Sequence, residues 1–177
     1  MINRQLPKTI DPFKFAQSRL FLKGELALGK MQRLQEACQV EELEGLVEVE
    51  LKGFVEQGIE VIKAEFKSIL PLTCQRCLQP FDLKIETSVT LGLLKNETLV
   101  EELPASYEAL IVTDELIDLS SLVEDELLLC IPTIGIHPQV ACKIKANSWQ
   151  FGEQNLNSEE TTRKPFAKLA NLKKSIE

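Results

Sequence analysis

Apolar and polar side chains alternate regularly in three stretches in the middle of the chain. In residues 46–56 (LVEVELKGFVE), valine and leucine alternate with glutamate and lysine. A period of two predicts a strand with one buried face and one wet face. The pattern returns in residues 59–74 and 81–94, and Gln57-Gly58 suits the turn between the first two stretches. Three consecutive strands with short connections predict an antiparallel meander.

Two shorter elements precede the meander. Residues 19–28 alternate loosely around Gly24, which predicts a strand with a bulge or a bend. Residues 29–38 carry apolar side chains at helical spacing and predict a short helix.

The part after the meander mixes a loop, a strand and a helix. Residues 96–107 are acidic and contain a proline, which predicts a loop, and residues 108–119 predict one more short strand. Asp118 is a suitable N-cap for an amphipathic helix that Pro132 ends. The expected fold is α+β: an antiparallel β-meander that could curl into a half-barrel, with short helices.

The C-terminal part differs in composition. Residues 147–163 are polar and rich in asparagine, serine and glutamate, and a short amphipathic stretch, PFAKLANLKK, follows them. A chain of 177 residues is long enough for one well-packed domain. We therefore expect a single α+β domain over residues 1–146, followed by a polar linker and a flexible, basic C-terminal tail over residues 147–177.

Composition and cysteine usage predict a cytoplasmic protein. The first residues do not resemble a secretory signal, and the longest apolar run, LLLCI, is far too short to cross a membrane. The five cysteines are an odd number, which does not suit a disulfide framework. Metal binding, catalysis and burial remain as explanations for them.

Charge is distributed unevenly around a net value of −7. Residues 1–30 contain six basic against two acidic residues, and residues 161–177 contain five against one. The acidic middle disfavours a wholly basic nucleic-acid binder, but the two ends could contact RNA at limited points. The alternative is that both ends are simply solvated.

No catalytic constellation is evident. The chain has one histidine, no GxSxG sequence and no glycine-rich phosphate loop, so neither an enzyme nor a small-molecule substrate is predicted. The acidic run VEDEL (123–127) is interpreted as a solvated helix face, because adjacent helical side chains point in different directions.

The sequence LTCQRCLQPF (72–81) carries the strongest chemical signal. Redox catalysis is disfavoured, because no helix follows Cys77 to lower the pKa of a thiol. Two thiolates in a turn between strands can instead form half of a tetrahedral zinc site, which His137 and Cys142 could complete. The alternative is a pair of ordinary buried cysteines, which is how we interpret Cys38 and Cys130.

Several segments together resemble the YceD family. They are LTCQRCLQPF, ELPASYEALIV, IDLSSLVEDELLLCIP, IHPQVAC and KPFAKLANLKK, in this order, and the start LPKTIDPFKFAQ is also similar to that of the family. The resemblance implies a cytoplasmic, non-enzymatic factor in ribosome biogenesis, needed for the synthesis, processing or stability of 23S rRNA. In other branches of the family the later loop carries further cysteines that would complete a zinc site.

The partners implied are 23S rRNA or a large-subunit precursor, together with ribosomal proteins or assembly factors. Beside the possible zinc ligands Cys74, Cys77, His137 and Cys142, the candidate contacts to RNA or to a partner are Arg76, Arg163, Lys164, Lys168, Lys173 and Lys174. The alternative function is an acidic adaptor or chaperone for a basic ribosomal protein, which the net charge of −7 favours.

Overall fold

The computed structural model describes residues 6–138 and 141–144. Its strands are β1 (Thr9–Ile10), β2 (Phe21–Ala27), β3 (Leu46–Glu56), β4 (Ile59–Thr73), β5 (Pro80–Leu94), β6 (Glu108–Ile111) and β7 (Ile117–Asp118). Its α-helices are α1 (Pro12–Gln17), α2 (Gln32–Cys38) and α3 (Leu119–Cys130), and short 3-10 helices span Leu28–Lys30 and Glu97–Glu102.

The main sheet has five strands in the order β2-β3-β4-β5-β6. Strands β2 to β5 are antiparallel neighbours, as the alternating sequence predicts, whereas β6 is parallel to β5. A second, two-stranded ladder joins β1 to β7. The predicted α+β class, built on an antiparallel meander, is confirmed, and the sheet is not a closed barrel.

The turn between β3 and β4 explains the tight pairing of these strands. Gln57 and Gly58 both have positive φ, at 52° and 84°. Two consecutive residues in this region form the turn whose twist matches a two-residue hairpin. Strand pairing begins immediately beside the turn, where Glu56 is opposite Ile59.

One face of the sheet holds the core. Val49 and Phe66 are opposite each other and fully buried, as are Leu51 and Ala64 in the next pair. Helix α1 packs so closely on β3 that a side chain at Gly53 would meet the carbonyl oxygen of Phe15 at 2.5 Å. The other face is charged and exposed, with ion pairs such as Lys23–Glu50 at 2.8 Å and Lys67–Glu86 at 2.7 Å.

Several local predictions can be compared with the structure. The prediction of a bulge in β2 is wrong, because Phe21–Ala27 pairs with Leu46–Lys52 residue for residue. The predicted loop after β5 contains the 3-10 helix, and the predicted helix cap is confirmed, since the carboxylate of Asp118 accepts a hydrogen bond from the amide of Ser121 at 2.9 Å. The interpretation of residues 147–177 as linker and tail lies outside the described residues and stays a prediction.

Helix α1 is an element that the alternation did not predict. It begins with Asp11 as N-cap and Pro12 in the first turn, and the amide of Lys14 donates to the Asp11 carboxylate at 3.0 Å. Within residues 6–138 and 141–144, no helix is long and apolar enough to span a membrane.

Candidate metal centre

The two cysteines of the CQRC sequence lie in the turn that joins β4 to β5. The Cys74 amide donates to the carbonyl of Gln79 at 2.9 Å, and the Leu78 amide donates to the carbonyl of Cys74 at 2.8 Å. Leu78 has a left-handed backbone, with φ of 56°, a conformation that glycine adopts much more easily than leucine. The turn therefore doubles back within six residues and brings both thiols to one side.

The segment that follows α3 runs against this turn. The backbone amide of Gln75 donates to the carbonyl of Gly135 at 2.8 Å, and its side-chain amide lies 3.4 Å from the carbonyl of Thr133. The amide of His137 points to the sulfur of Cys74 at 3.5 Å. These contacts position His137, although it is 60 residues beyond Cys77 in the chain.

The imidazole of His137 is held between a thiol and an aromatic ring. Its Nδ1 lies 3.4 Å from the sulfur of Cys77. Its ring centroid lies 5.1 Å from that of Phe81, at an angle of 41°. A ring with contacts on two sides has a fixed orientation, which is what a metal-ligating histidine requires.

Four donor groups converge at this point. The potential ligand atoms of Cys74, Cys77, His137 and Cys142 all lie within 4.8 Å of one another. The ligand atoms of one tetrahedral zinc ion are separated by about 3.5–4 Å, given the usual zinc–sulfur and zinc–nitrogen bond lengths. Three sulfurs and one imidazole nitrogen are a common donor set for structural zinc. The residues present therefore fit a zinc ion, and the four residues named from the sequence are brought together.

Backbone amides stabilise the thiolate of Cys74. Burial alone would raise the pKa of this thiol, but the amides of His137, Cys77 and Arg76 point towards its sulfur and lower the pKa to about 5. The pKa of Cys77 is raised, first by burial and then by the neighbouring thiols of Cys74 and Cys142. Three thiolates this close would repel one another, and a divalent cation would remove that electrostatic cost.

The other interpretations of the cysteines can now be weighed. Cys74 and Cys142 are buried, at 0% and 5% exposure, so burial alone would also fit ordinary core cysteines. Burial does not explain why a third thiol and the only histidine converge on the same point. The turn leads directly into β5 rather than into a helix, which disfavours redox catalysis. Cys38 is buried on α2, and Cys130 lies at the end of α3, in agreement with the core interpretation.

Arg76 lies between the two cysteine ligands. Its Nη1 is buried and finds no hydrogen-bond partner among residues 6–138 and 141–144. Arg163, Lys164, Lys168, Lys173 and Lys174, the other candidate contact residues, lie outside the described residues. Apolar side chains flank the turn on the surface, with Leu78 73% exposed and Ile134 64% exposed.

A carboxylate that the sequence analysis placed on a solvated face is in fact buried. Glu124 of α3 is 8% exposed, accepts a hydrogen bond from the amide of Leu34 at 3.1 Å and forms an ion pair with Arg33 at 2.8 Å. The Glu124 carboxylate accepts from an amide in the first turn of α2 that has no partner within the helix, and it thereby joins α2 to α3. The exposed neighbour Asp125 also binds Arg33, at 2.6 Å. The sequence contained no signal for this role, because the partner is 90 residues away.

Comparison with known proteins gives the family. Residues 62–173 match the model of the family described as large ribosomal RNA subunit accumulation protein YceD. The chain is 35% identical over 173 residues to the large ribosomal RNA subunit accumulation protein YceD of Haemophilus influenzae, covering 96% of this chain and 97% of that protein. No solved structure matches the chain significantly. With the CQRC turn, the capped helix α3 and the loop carrying His137 and Cys142 all inside the matched residues, the chain belongs to the YceD family.

Proposed function

We propose that this chain is a ribosome biogenesis factor required for the synthesis, processing or stability of 23S rRNA. It acts without catalysis, by binding rRNA or a precursor of the large subunit in the cytoplasm. The observation that carries the proposal is the match, over 96% of the chain, to a protein named for the accumulation of large-subunit ribosomal RNA.

The metal centre supports a binding role. Cys74, Cys77, His137 and Cys142 supply four protein ligands, which fill a tetrahedral zinc site. Catalytic zinc sites keep a position open for water or substrate, whereas structural sites are closed by four ligands. Zinc here would hold the segment after α3 against the β4–β5 turn and thereby shape the surface around it.

Arg76 is the candidate RNA contact on that surface. Its backbone amide takes part in the CQRC turn by pointing to the Cys74 sulfur, so its position is set by the ligand geometry. Arg76 is only half-buried as a residue, and guanidinium groups recognise phosphate with well-defined geometry.

The basic C-terminal tail supplies the second contact. Its five basic residues could engage about five phosphates, so the affinity for RNA should fall with salt less steeply than that of a wholly basic binder. The acidic remainder of the chain would keep most of the surface away from RNA and direct the contact to these points.

The metal is tested by native mass spectrometry of freshly purified, untagged protein. We expect one zinc ion per chain, lost on acid denaturation and absent from Cys74→Ser. Cys130→Ser is the matched control, because Cys130 lies outside the cluster, and it should keep the metal. A metal-free wild-type protein with five free thiols would contradict the zinc site.

The RNA contact is tested by crosslinking in cells and by sedimentation with precursor particles of the large subunit. Arg76→Gln and deletion of residues 161–177 should each reduce crosslinks to 23S rRNA, and their salt dependence should be shallower. Lys84→Gln removes an exposed charge from the same hairpin and should change little. Unchanged crosslinks in both variants would remove these residues from the mechanism.

The alternative, an adaptor for a basic ribosomal protein, is favoured by the net charge of −7. A surface depression of about 900 Å³ could receive basic side chains, since its lining includes Asp11, Glu60, Asp114 and Glu115 against Lys14 and Lys95. Crosslinks that reach only ribosomal protein, with none to RNA, would favour the adaptor.

A further inference from the structure

Strand β2 has one open edge. It is the first strand of the five-stranded sheet and pairs with β3 on one side, and no other strand of the described residues pairs with its second side. A free edge presents unpaired amide and carbonyl groups that can pair with another strand. Near the end of the strand, Glu25, Leu26 and Ala27 line one side of a depression of about 1020 Å³, and residues such as Pro7, Lys8 and Ser121 also line it.

The register shows which residues face the open edge. The amide of Gly53 donates to the carbonyl of Leu20 at 2.9 Å, so these two residues form a hydrogen-bonded pair. Such pairs alternate along an antiparallel ladder. The even-numbered residues of β2 therefore direct their backbone groups to β3. The odd-numbered residues direct theirs outwards: Phe21, Lys23, Glu25 and Ala27.

We propose that this edge binds the same edge of a second copy of the chain. The two β2 strands run antiparallel about a two-fold axis at Gly24, which joins the two five-stranded sheets. Lys23 of each copy is then opposite Glu25 of the other, and Phe21 is opposite Ala27. All four outward-facing residues meet an outward-facing residue, so the backbone hydrogen bonds of both edges are satisfied.

Charge selects this register over its neighbours. Lys23 and Glu25 lie on the same exposed face of β2 and become two oppositely charged cross-strand pairs. A slip by two residues in one direction would put Lys23 opposite itself, and a slip in the other direction would put Glu25 opposite itself. A slip by one residue would place outward-facing groups opposite groups that are already bonded to β3.

The surroundings of Glu25 favour a second copy. Within its own chain Glu25 is opposite Glu48 on β3, and like charges in this position destabilise a sheet. Lys23 already pairs with Glu50, whereas Glu25 forms no ion pair with any described residue. Glu48 is itself opposite Lys67 on β4, so Glu25 is the member of the pair that has no cation beside it. The lysine of a second copy would bring a cation next to Glu25.

Two exposed apolar side chains would also gain a neighbour. Phe21 and Leu46 are each 53% exposed on the same face of the sheet, at opposite ends of the β2–β3 ladder. Leu46 is opposite Ala27, which in the dimer is opposite Phe21 of the second copy. The phenylalanine ring of one copy could then pack over Ala27 onto Leu46 of the other.

Gly24, at the proposed axis, has no conformational need to be glycine. Its φ is not positive, unlike those of Gly45 and Gly58. A glycine inside a regular strand often marks a place where another backbone approaches closely. At the two-fold axis the two Gly24 residues form the non-hydrogen-bonded pair, in which the strands are closest.

The dimer is tested by sedimentation equilibrium at low salt over a wide range of concentration. The wild-type chain should dimerise, and Lys23→Glu and Glu25→Lys should each raise the Kd of the homodimer about tenfold or more, because each puts like charges opposite each other twice. An equimolar mixture of the two variants should form a heterodimer, since both of its cross-strand pairs are again oppositely charged. Added salt should weaken the wild-type dimer.

The mixture also controls for folding, because a misfolded variant could not be rescued by another variant. Lys63→Glu, on the central strand β4, changes the same charge away from the edge and should leave the Kd unchanged. The proposal is overturned if the wild-type chain stays monomeric at every concentration. It is equally overturned if neither charge reversal changes the Kd of the dimer, or if the mixed variants do not associate.

Discussion

The middle of the main sheet and the end of the β4–β5 hairpin are built on the same two strands, yet they are held in different ways. In the middle, residues such as Ile62, Ala64 and Phe66 are fully buried beneath the helices. At the hairpin end, Leu78 is 73% exposed, and the contacts are hydrogen bonds around Gln75 and four converging metal donors. Folding of the sheet thus depends on apolar burial, whereas order at the hairpin end depends on hydrogen bonds and, in the proposed zinc-bound protein, on ligand chemistry.

Truncating the core should have the largest effect on stability. Phe66→Ala removes a fully buried side chain and should lower the free energy of unfolding by about 3–5 kcal/mol. Urea denaturation followed by circular dichroism measures this effect. The folded fraction should still bind one metal ion, because the four donors are far along the hairpin from Phe66.

Removing the proposed metal should affect the hairpin end and leave the core of the sheet intact. Hydrogen exchange of Cys74→Ser should increase around residues 74–79 and 133–138, while the amides of β3 and β4 stay protected. Loss of protection throughout the sheet in Cys74→Ser would show that the two regions unfold as one.

A smaller effect is expected where helix α1 meets the sheet. Gly53→Ala would place a methyl group 2.5 Å from the Phe15 carbonyl and 2.8 Å from Cα of Ala16, and both are backbone atoms that cannot rotate away. Overpacking of this kind costs about 1–3 kcal/mol. The midpoint temperature of thermal unfolding should fall without any change in metal content. Gly58→Ala is a useful comparison, because no atom lies within 4 Å of the added group and only the positive φ of 84° opposes it.

The two regions also differ in how far the sequence predicts them. Alternation identified β3, β4 and β5, because one face of each is buried along most of its length. It could not show that β6 is parallel to β5, since a period of two carries no information about strand direction. The pairing of β1 with β7 could not be predicted from the sequence either, because Thr9 pairs with Asp118 across more than half of the chain.

Helix α1 and the candidate metal centre both left a signal in the sequence. Asp11 followed by Pro12 is a recognisable helix start, but α1 has only six residues, too few for helical spacing to stand out in the sequence. At the candidate metal centre, ligand chemistry was enough to select from the sequence four residues that the structure brings together, Cys74, Cys77, His137 and Cys142. The hydrogen bond from Gln75 to Gly135, which brings the two halves together, involves backbone groups and therefore has no residue signature.

The finest test uses two residues with the same backbone conformation, one in each region. Leu78 has φ of 56° in the metal-site turn and Gln57 has φ of 52° in the β3–β4 turn. Glycine relieves the strain of this conformation but is more flexible when unfolded, so the net gain should be about 0.5–1 kcal/mol at each site. Leu78→Gly should slow removal of zinc by a chelator about two- to fivefold and leave the urea midpoint of the sheet nearly unchanged. Gln57→Gly should raise that midpoint and leave zinc removal unchanged. If both substitutions moved both quantities together, metal binding and sheet stability would be one cooperative property rather than two.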